Sequence, residues 1–303
     1  MTSKGNWMVR VMKPRSLMFT LYGEYIQYYG GEIWVGSLIH LMQQFGVSES
    51  SVRGAILRMV QKNLLQVRKI GNKSYYTVTP QGRRRVDDGV KRVYAAANHS
   101  WDGNWRILTY SFPEEKRELR NEIRKELNWT GFGMIANSTW VSPNPLEDQV
   151  LEMIKTYKIK DHATLFSSAS LISHDNQSII DKGWDFKRIA EEYEVFIKKY
   201  SALFEELRKK ALNNSLSDKE CFIERTSIVH EYRKFLFHDP GFPRDLLPND
   251  WTGTKARELF WNFHQLVTIP AVRFFESLYE PAPDREITPV RTKAINPFHE
   301  VFV

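Results

Sequence analysis

Cysteine is almost absent: Cys221 is the only one in 303 residues. A single thiol cannot close an internal disulfide, so no disulfide framework is expected, and a reducing, cytoplasmic setting is the expectation. No apolar run is long enough to cross a bilayer, and no basic-then-apolar leader opens the chain, so no membrane partner is expected. A catalytic constellation is lacking too. His230 and Glu231 stand side by side, but residue 234, where a zinc-protease motif needs its second histidine, is Lys, and no Ser or Cys elbow accompanies them. No catalytic residue, metal site or resident cofactor is expected.

Positive charge is present and unevenly placed. Met1 to His99 carry 15 Lys and Arg against 5 Asp and Glu, a balance of +10, whereas the rest carries 28 against 31. A third of the chain that holds the whole excess points to a polyanion partner, or else to a generic solubilising surface. Within it, Met18, Leu21, Tyr25 and Tyr29 recur at helical spacing between Pro14 and Gly30-Gly31, and "EIWVG" reads as a short extended piece. "SLIHLMQQFGVSESSVRGAILRMVQKNLL" reads as helix, Gly-containing turn and helix, with Ser37 and Ser48 as N-caps. Val52, Ile56, Met59 and Val60 make the buried stripe of the second helix, and Ser50, Ser51, Arg53 and Arg58 fall outside it. "LLQVRKIGNKSYYTVTP" alternates as two strands about Gly71-Asn72-Lys73, and Thr79-Pro80 reads as an N-cap with proline at N1. This is the order of a winged helix-turn-helix, whose second helix fits the major groove of double-stranded DNA while the charged hairpin, with Arg68, Lys69 and Lys73, lies on the backbone. Ser50, Ser51, Arg53, Arg58, Arg68, Lys69 and Lys73 are therefore the expected DNA-binding residues.

The run "PRSLMFTLYGEYIQYYGGEIWVGSLIHLMQQFGVSESSVRGAILRMVQKNLL" resembles the start of the PaaX family of bacterial transcriptional repressors. The Ser50-Ser51-Val52-Arg53 run is similar to the recognition-helix start of GntR-type winged helices, which gives Arg53 the expectation of a DNA contact. The resemblance extends over nearly the whole chain.

In the middle, "WRILTYSFPEE" reads as a strand, and Leu119, Ile123 and Leu127 mark an amphipathic helix. "GFGMIANSTWVSP" reads as a strand, "PLEDQVLEMIKTY" as a helix and "HATLFSSAS" as a strand. The alternation predicts a small ferredoxin-like α+β domain. It resembles the domain that PaaX proteins share with small CRISPR-associated ferredoxin-like nucleases. Those place an aspartate at the end of the first strand to bind metal, but here the stretch offers Ser111 and no carboxylate, so a dimerising scaffold is expected over a metal-dependent nuclease.

The last third is helical. Ile189, Tyr193, Phe196, Tyr200, Leu203 and Leu207 form one apolar face, and a second helix carries "HEYRKFLFHDPGFP". A third, aromatic-rich helix is broken by Pro270, and an extended Pro-rich tail follows Glu280. If "HEYRKFLF" is helical, His230, Arg233, Lys234 and Phe237 share a face, which is either a solvated surface with an ordinary Glu231–Lys234 pair or a set of anion-binding groups. The resemblance selects the second. PaaX repressors act on phenylacetate-breakdown genes and release DNA when phenylacetyl-CoA binds. Arg, Lys and His suit the phosphates of CoA, and Trp251, Phe260, Trp261 and Phe263 are near in sequence for the aryl group. The expected effector-binding residues are His230, Glu231, Tyr232, Arg233, Lys234, Trp251 and Trp261.

The fold class expected is α+β: a winged helix-turn-helix over residues 1–97, a ferredoxin-like dimerisation domain over 98–180, and a helical effector-binding domain over 181–303. The function expected is an operator-binding homodimeric repressor. The alternatives are a regulator tuned to another aryl-CoA or aromatic acid, and the nuclease.

Overall fold

A computed structural model describes residues 12–94, 100–169, 175–235, 238–284 and 294–295. The chain divides into two compact units, one of residues 1–95, 202–231 and 260–303 and one of residues 96–201 and 232–259. Residues of the helical last third fall in both units.

The first unit opens with α1 (Pro14–Glu24), a short 3-10 turn (Ile26–Tyr29), β1 (Glu32–Trp34), α2 (Val35–Gln43), α3 (Glu49–Gln61), β2 (Leu65–Ile70), β3 (Lys73–Val78) and α4 (Pro80–Tyr94). The strands form an antiparallel sheet in the order β1-β3-β2. Ser48 caps α3, its side chain accepting from the Ser51 amide at 3.3 Å. Ser37 caps nothing: α2 begins two residues earlier, after Trp34, which leaves Ser37 buried inside the helix. Val52, Ala55, Ile56 and Met59 bury the inner side of α3, with Val60 only half-buried. Thr79 caps α4, its hydroxyl 3.1 Å from the Gly82 amide. A Cβ on Gly82 would stand 2.2 Å from the Leu64 carbonyl oxygen, so α4 packs on the β2 entry only because that position has no side chain. Gly82→Ala is expected to lower stability by about 1–3 kcal/mol, the cost of overpacking, measured by urea denaturation; an unchanged midpoint would contradict this packing.

Onto this part pack α9 (Asp218–Tyr232) and the later turns of α10 (Thr252–Leu278). Tyr25 lies 5.3 Å from the Phe222 ring and 5.0 Å, stacked, from Phe275, and Tyr29 meets Phe275 edge-on at 5.0 Å. Such pairs add about 0.5–1.5 kcal/mol each beyond burial. Pro270 sits inside α10 without ending it. The tail beyond residue 284 lies almost wholly outside the described residues.

The second unit contains β4 (Trp105–Tyr110), α5 (Arg117–Thr130), β5 (Gly133–Ala136), β6 (Thr139–Ser142), α6 (Glu147–Thr156), β7 (Ala163–Ala169), α7 (Asn176–Gly183) and the first turns of α8 (Phe186–Leu212). Its sheet is antiparallel throughout, in the order β5-β6-β4-β7, and with the βαββαβ sequence this is the ferredoxin-like arrangement. The segment "GFGMIANSTWVSP" is two strands, not one: the chain turns back at Ser138, whose φ of 64° breaks the extended run. One sheet face carries Leu108, Tyr110 and Trp140 against Ile123, Leu127 and Val150. The other carries Trp105 and Val141 against Ile179, Ile180 and Phe242. Arg106 is buried but fully engaged by Asp102 at 2.6 Å and Glu147 at 2.7 Å.

Candidate nucleic-acid interface

The outward side of α3 presents Ser50, Ser51, Arg53, Leu57 and Arg58 to solvent. Ser48 Oγ donates to Ser51 Oγ at 2.9 Å and lies 3.1 Å from Ser50 Oγ, so the three serines form one hydroxyl cluster at the helix start. Arg53 pairs with Glu49 at 2.8 Å, with both side chains more than half exposed. An i,i+4 pair of this kind contributes about 0.3–0.5 kcal/mol, so the guanidinium exchanges Glu49 for a better acceptor at little cost. Short hydroxyls and a readily released arginine at the N-terminal end of an exposed helix are the groups that can read base edges in a major groove.

The β2–β3 hairpin differs from the sequence expectation. Lys69 is exposed, but Arg68 and Lys73 are already in ion pairs. Arg68 forms a bidentate pair with buried Glu32, at 2.6 and 3.1 Å, and also meets Asp284. Lys73 meets Glu280 and stands over the Trp34 ring at 4.5 Å. The partners Glu280 and Asp284 are some two hundred residues away in sequence, so no local pattern could reveal them.

Behind α1 lies a buried charged network. Glu24 accepts from the Tyr94 hydroxyl (2.7 and 2.8 Å to its two oxygens) and from Arg225 Nη2 at 3.2 Å, while His264 Nε2 stands 3.8 Å away. Arg225 is fully buried, donates to the Ala294 carbonyl at 2.8 Å and stacks on Tyr25 at 4.7 Å, but its Nε and Nη1 have no hydrogen-bond partner among the described residues. Burial alone would raise the Glu24 carboxyl; nearby His264, the Arg225 charge and the Tyr94 hydrogen bonds hold it below its ordinary value. Burial, reinforced by Arg225, pushes His264 down to about 4. Sequence reading missed this network because Glu24, Arg225 and His264 come from three helices with no motif in common.

The helix expected to carry "HEYRKFLF" stops within it. α9 ends at Tyr232, so Arg233 and Lys234 lie in a turn, and Phe237 is outside the described residues. His230 is buried, with Nδ1 3.0 Å from the Thr20 hydroxyl. Glu231 is half-buried, and the buried Tyr232 ring packs against Phe196 and Phe235. Trp251 is core, against Phe186 and Tyr193, and Trp261 is half-buried on α10. His230, Glu231 and Trp261 belong to the first unit, and Tyr232, Arg233, Lys234 and Trp251 to the second. The end of the same stretch helps to line a cleft of about 170 Å³ in the second unit, with His238, Asp239 and Pro240 facing Trp184, Arg188 and Asn128. Tyr193 fixes this loop by donating to Asp239 at 2.6 Å. Ser111, just after β4, is exposed, and its amide donates to the His162 carbonyl.

Three family descriptions match the chain: "PaaX-like protein" over residues 13–82, "PaaX protein central Cas2-like domain" over 98–180, and "PaaX-like protein C-terminal domain" over 184–277. The Transcriptional repressor PaaX of Escherichia coli (strain K12) is 30% identical over 262 residues, which are 86% of this chain and 82% of that one. Among solved structures, the uncharacterized protein Rv0674 from Mycobacterium tuberculosis is 22% identical, with a TM-score of 0.45 over 80% of this chain and 89% of its own.

Proposed function

The chain belongs to the PaaX family of transcriptional repressors, and from that premise we propose that it is an operator-binding repressor of phenylacetate-catabolic genes, a regulator and not an enzyme. The observation that carries the reading is the outer side of α3, where Ser50, Ser51, Arg53 and Arg58 stand exposed around a capped helix start in the most basic third of the chain. Helix, strand, helix, turn, helix and hairpin, with a β1-β3-β2 sheet, support a winged helix-turn-helix in which α3 enters the major groove and the hairpin is the wing.

A winged helix reading a two-fold operator needs a second copy at fixed spacing. The Cas2-like domain is our candidate for that pairing. Its edge strands β5 and β7 carry exposed Met134 and Phe166, which a partner sheet would cover. Phenylacetyl-CoA is the proposed releasing effector. Arg233 and Lys234, in the turn after α9, are the proposed holders of its phosphates, because guanidinium and ammonium groups suit phosphate. A cytoplasmic location follows from this role.

The test is a mobility-shift titration on promoter DNA of phenylacetate-catabolic genes. Wild-type protein is expected to shift that DNA in preference to a scrambled duplex. Phenylacetyl-CoA, but neither phenylacetate nor free CoA, is expected to release it. Binding indifferent to sequence would refute the operator role, and release by another aryl-CoA alone would reassign the effector.

A further inference from the structure

The cations of the wing are the groups a DNA-binding hairpin offers to phosphate, yet two of them are taken by the chain's own acids. Arg68 and Glu32 lie on one face of the sheet, across from Tyr75 and Thr77 of the central strand, which places the guanidinium against the buried carboxylate. Asp284 approaches Arg68 as a second carboxylate, and Glu280 takes Lys73. Among the described residues three carboxylates stand around these two cations, so a phosphate reaches either cation only by displacing an acid.

The acids are held in place. The Tyr279 hydroxyl lies 2.6 Å from the Tyr29 carbonyl oxygen and 3.0 Å from that of Glu32. The Glu280 amide donates to Ser37 Oγ at 3.1 Å, using the serine that sits inside α2 instead of capping it. Tyr29 donates to Glu276 at 2.6 Å, and Ala282 is buried between the two acidic positions. Yet the ion pairs themselves are half-exposed: the side chains of Lys73, Glu280 and Asp284 keep 38%, 40% and 48% of their accessible surface. Exposed pairs are weak and exchangeable, whereas anchored backbone is not.

We propose that residues 279–284 form an acidic strap that occupies Arg68 and Lys73 and holds down the protein's sequence-independent affinity for DNA. The strap stands in for phosphate on the wing, so sequence-independent binding must compete with it, while the α3 contacts that read bases are untouched. A repressor gains discrimination this way, because it lowers binding to competing non-specific sites without weakening base readout. The proposal rests on the DNA-binding reading above.

The test is duplex binding by Glu280→Gln/Asp284→Asn across a salt series, on operator and on scrambled DNA. Each phosphate newly neutralised steepens the slope of log affinity against log salt by about 0.9. Lys73 is released fully, and Arg68 keeps Glu32, so a steepening of about 1 is expected. The variant's advantage over wild type should then shrink about 3- to 4-fold between about 50 and about 200 mM salt, and be largest on scrambled DNA. Lys73→Ala added to the variant should return the slope to the wild-type value, while Lys73→Ala alone should barely move it. An unchanged slope at a native melting temperature overturns the strap, as does weaker binding by a folded variant, which would make the acids supports of the wing. Should the double variant melt much lower, Glu280→Gln alone carries the same expectation, because Asp284 and Arg68 stay paired. If wild type and variant alike bind no duplex at low salt, the DNA-binding reading falls and the strap with it; if wild type binds and Arg53→Ala does not, that reading stands while the strap is judged on the slope.

Discussion

Arg225→Met is expected to destabilise the protein by about 3–5 kcal/mol, because it leaves the Glu24 carboxylate buried with its counter-charge removed. Tyr94 still donates to Glu24, but a single hydroxyl cannot replace an opposite charge. Adding Glu24→Gln should recover most of the loss, since the pair is then replaced by neutral groups. Among the described residues two of the guanidinium nitrogens have no hydrogen-bond partner, and replacing a buried ion pair by neutral groups of similar size is often near neutral. Urea denaturation of both single variants and the double variant measures this; losses that simply add would show that the pair is not coupled. The same network gives a pH dependence with a definite sign. His264 titrates at about 4 in the fold against about 6.5 unfolded, so between these values the unfolded chain binds more protons. Its contribution is therefore complete above pH 6.5 and lost as pH falls toward 4. Glu24, whose pKa is lowered, adds its own loss at still more acidic pH, below the ordinary carboxylate range. His264→Gln should flatten the stability profile between pH 6.5 and 4 relative to wild type.

Arg53→Ala is expected to cost about 1–3 kcal/mol of operator affinity and to narrow the gap between operator and scrambled DNA, as loss of a bidentate base contact does. Stability should change by less than about 0.5 kcal/mol, because Arg53 is exposed and gives up only its pair with Glu49. That separation makes the measurement decisive. Equal loss on operator and scrambled duplexes would turn Arg53 into a phosphate contact, and no loss on either would remove α3 from the interface. Glu49→Gln is the matching control: it frees the guanidinium and removes a negative charge near DNA, so it should not weaken binding.

Much of the first 94 residues was legible because its signals are local. Apolar spacing placed α1 and α3, Ser48 and Thr79-Pro80 marked two helix starts, and alternation about Gly71-Asn72-Lys73 marked the hairpin. The alternating strands and helices likewise announced the βαββαβ unit, although the turn at Ser138 that divides β5 from β6 was hidden in a run of strand-forming residues. The reading failed where a residue's role depends on a distant partner. Ser37 looks like a cap but receives the Glu280 amide. His230 looks like a ligand group but is held in the core by Thr20. Arg68 and Lys73 look like free wing cations but are paired with acids from the end of the chain.

The sequence by itself determined the repeat of local elements, the basic character of the first third and the exposed polar side of α3, since periodicity, capping and charge act between residues a few positions apart. Tertiary structure alone decided where α9 ends, which cations remain open to a partner, and that Glu24, Arg225, His264 and Tyr94 share one buried site. Such pairings join segments up to about two hundred residues apart, and a charge has no preferred partner until folding removes water from around it and makes one neighbour outweigh all the others.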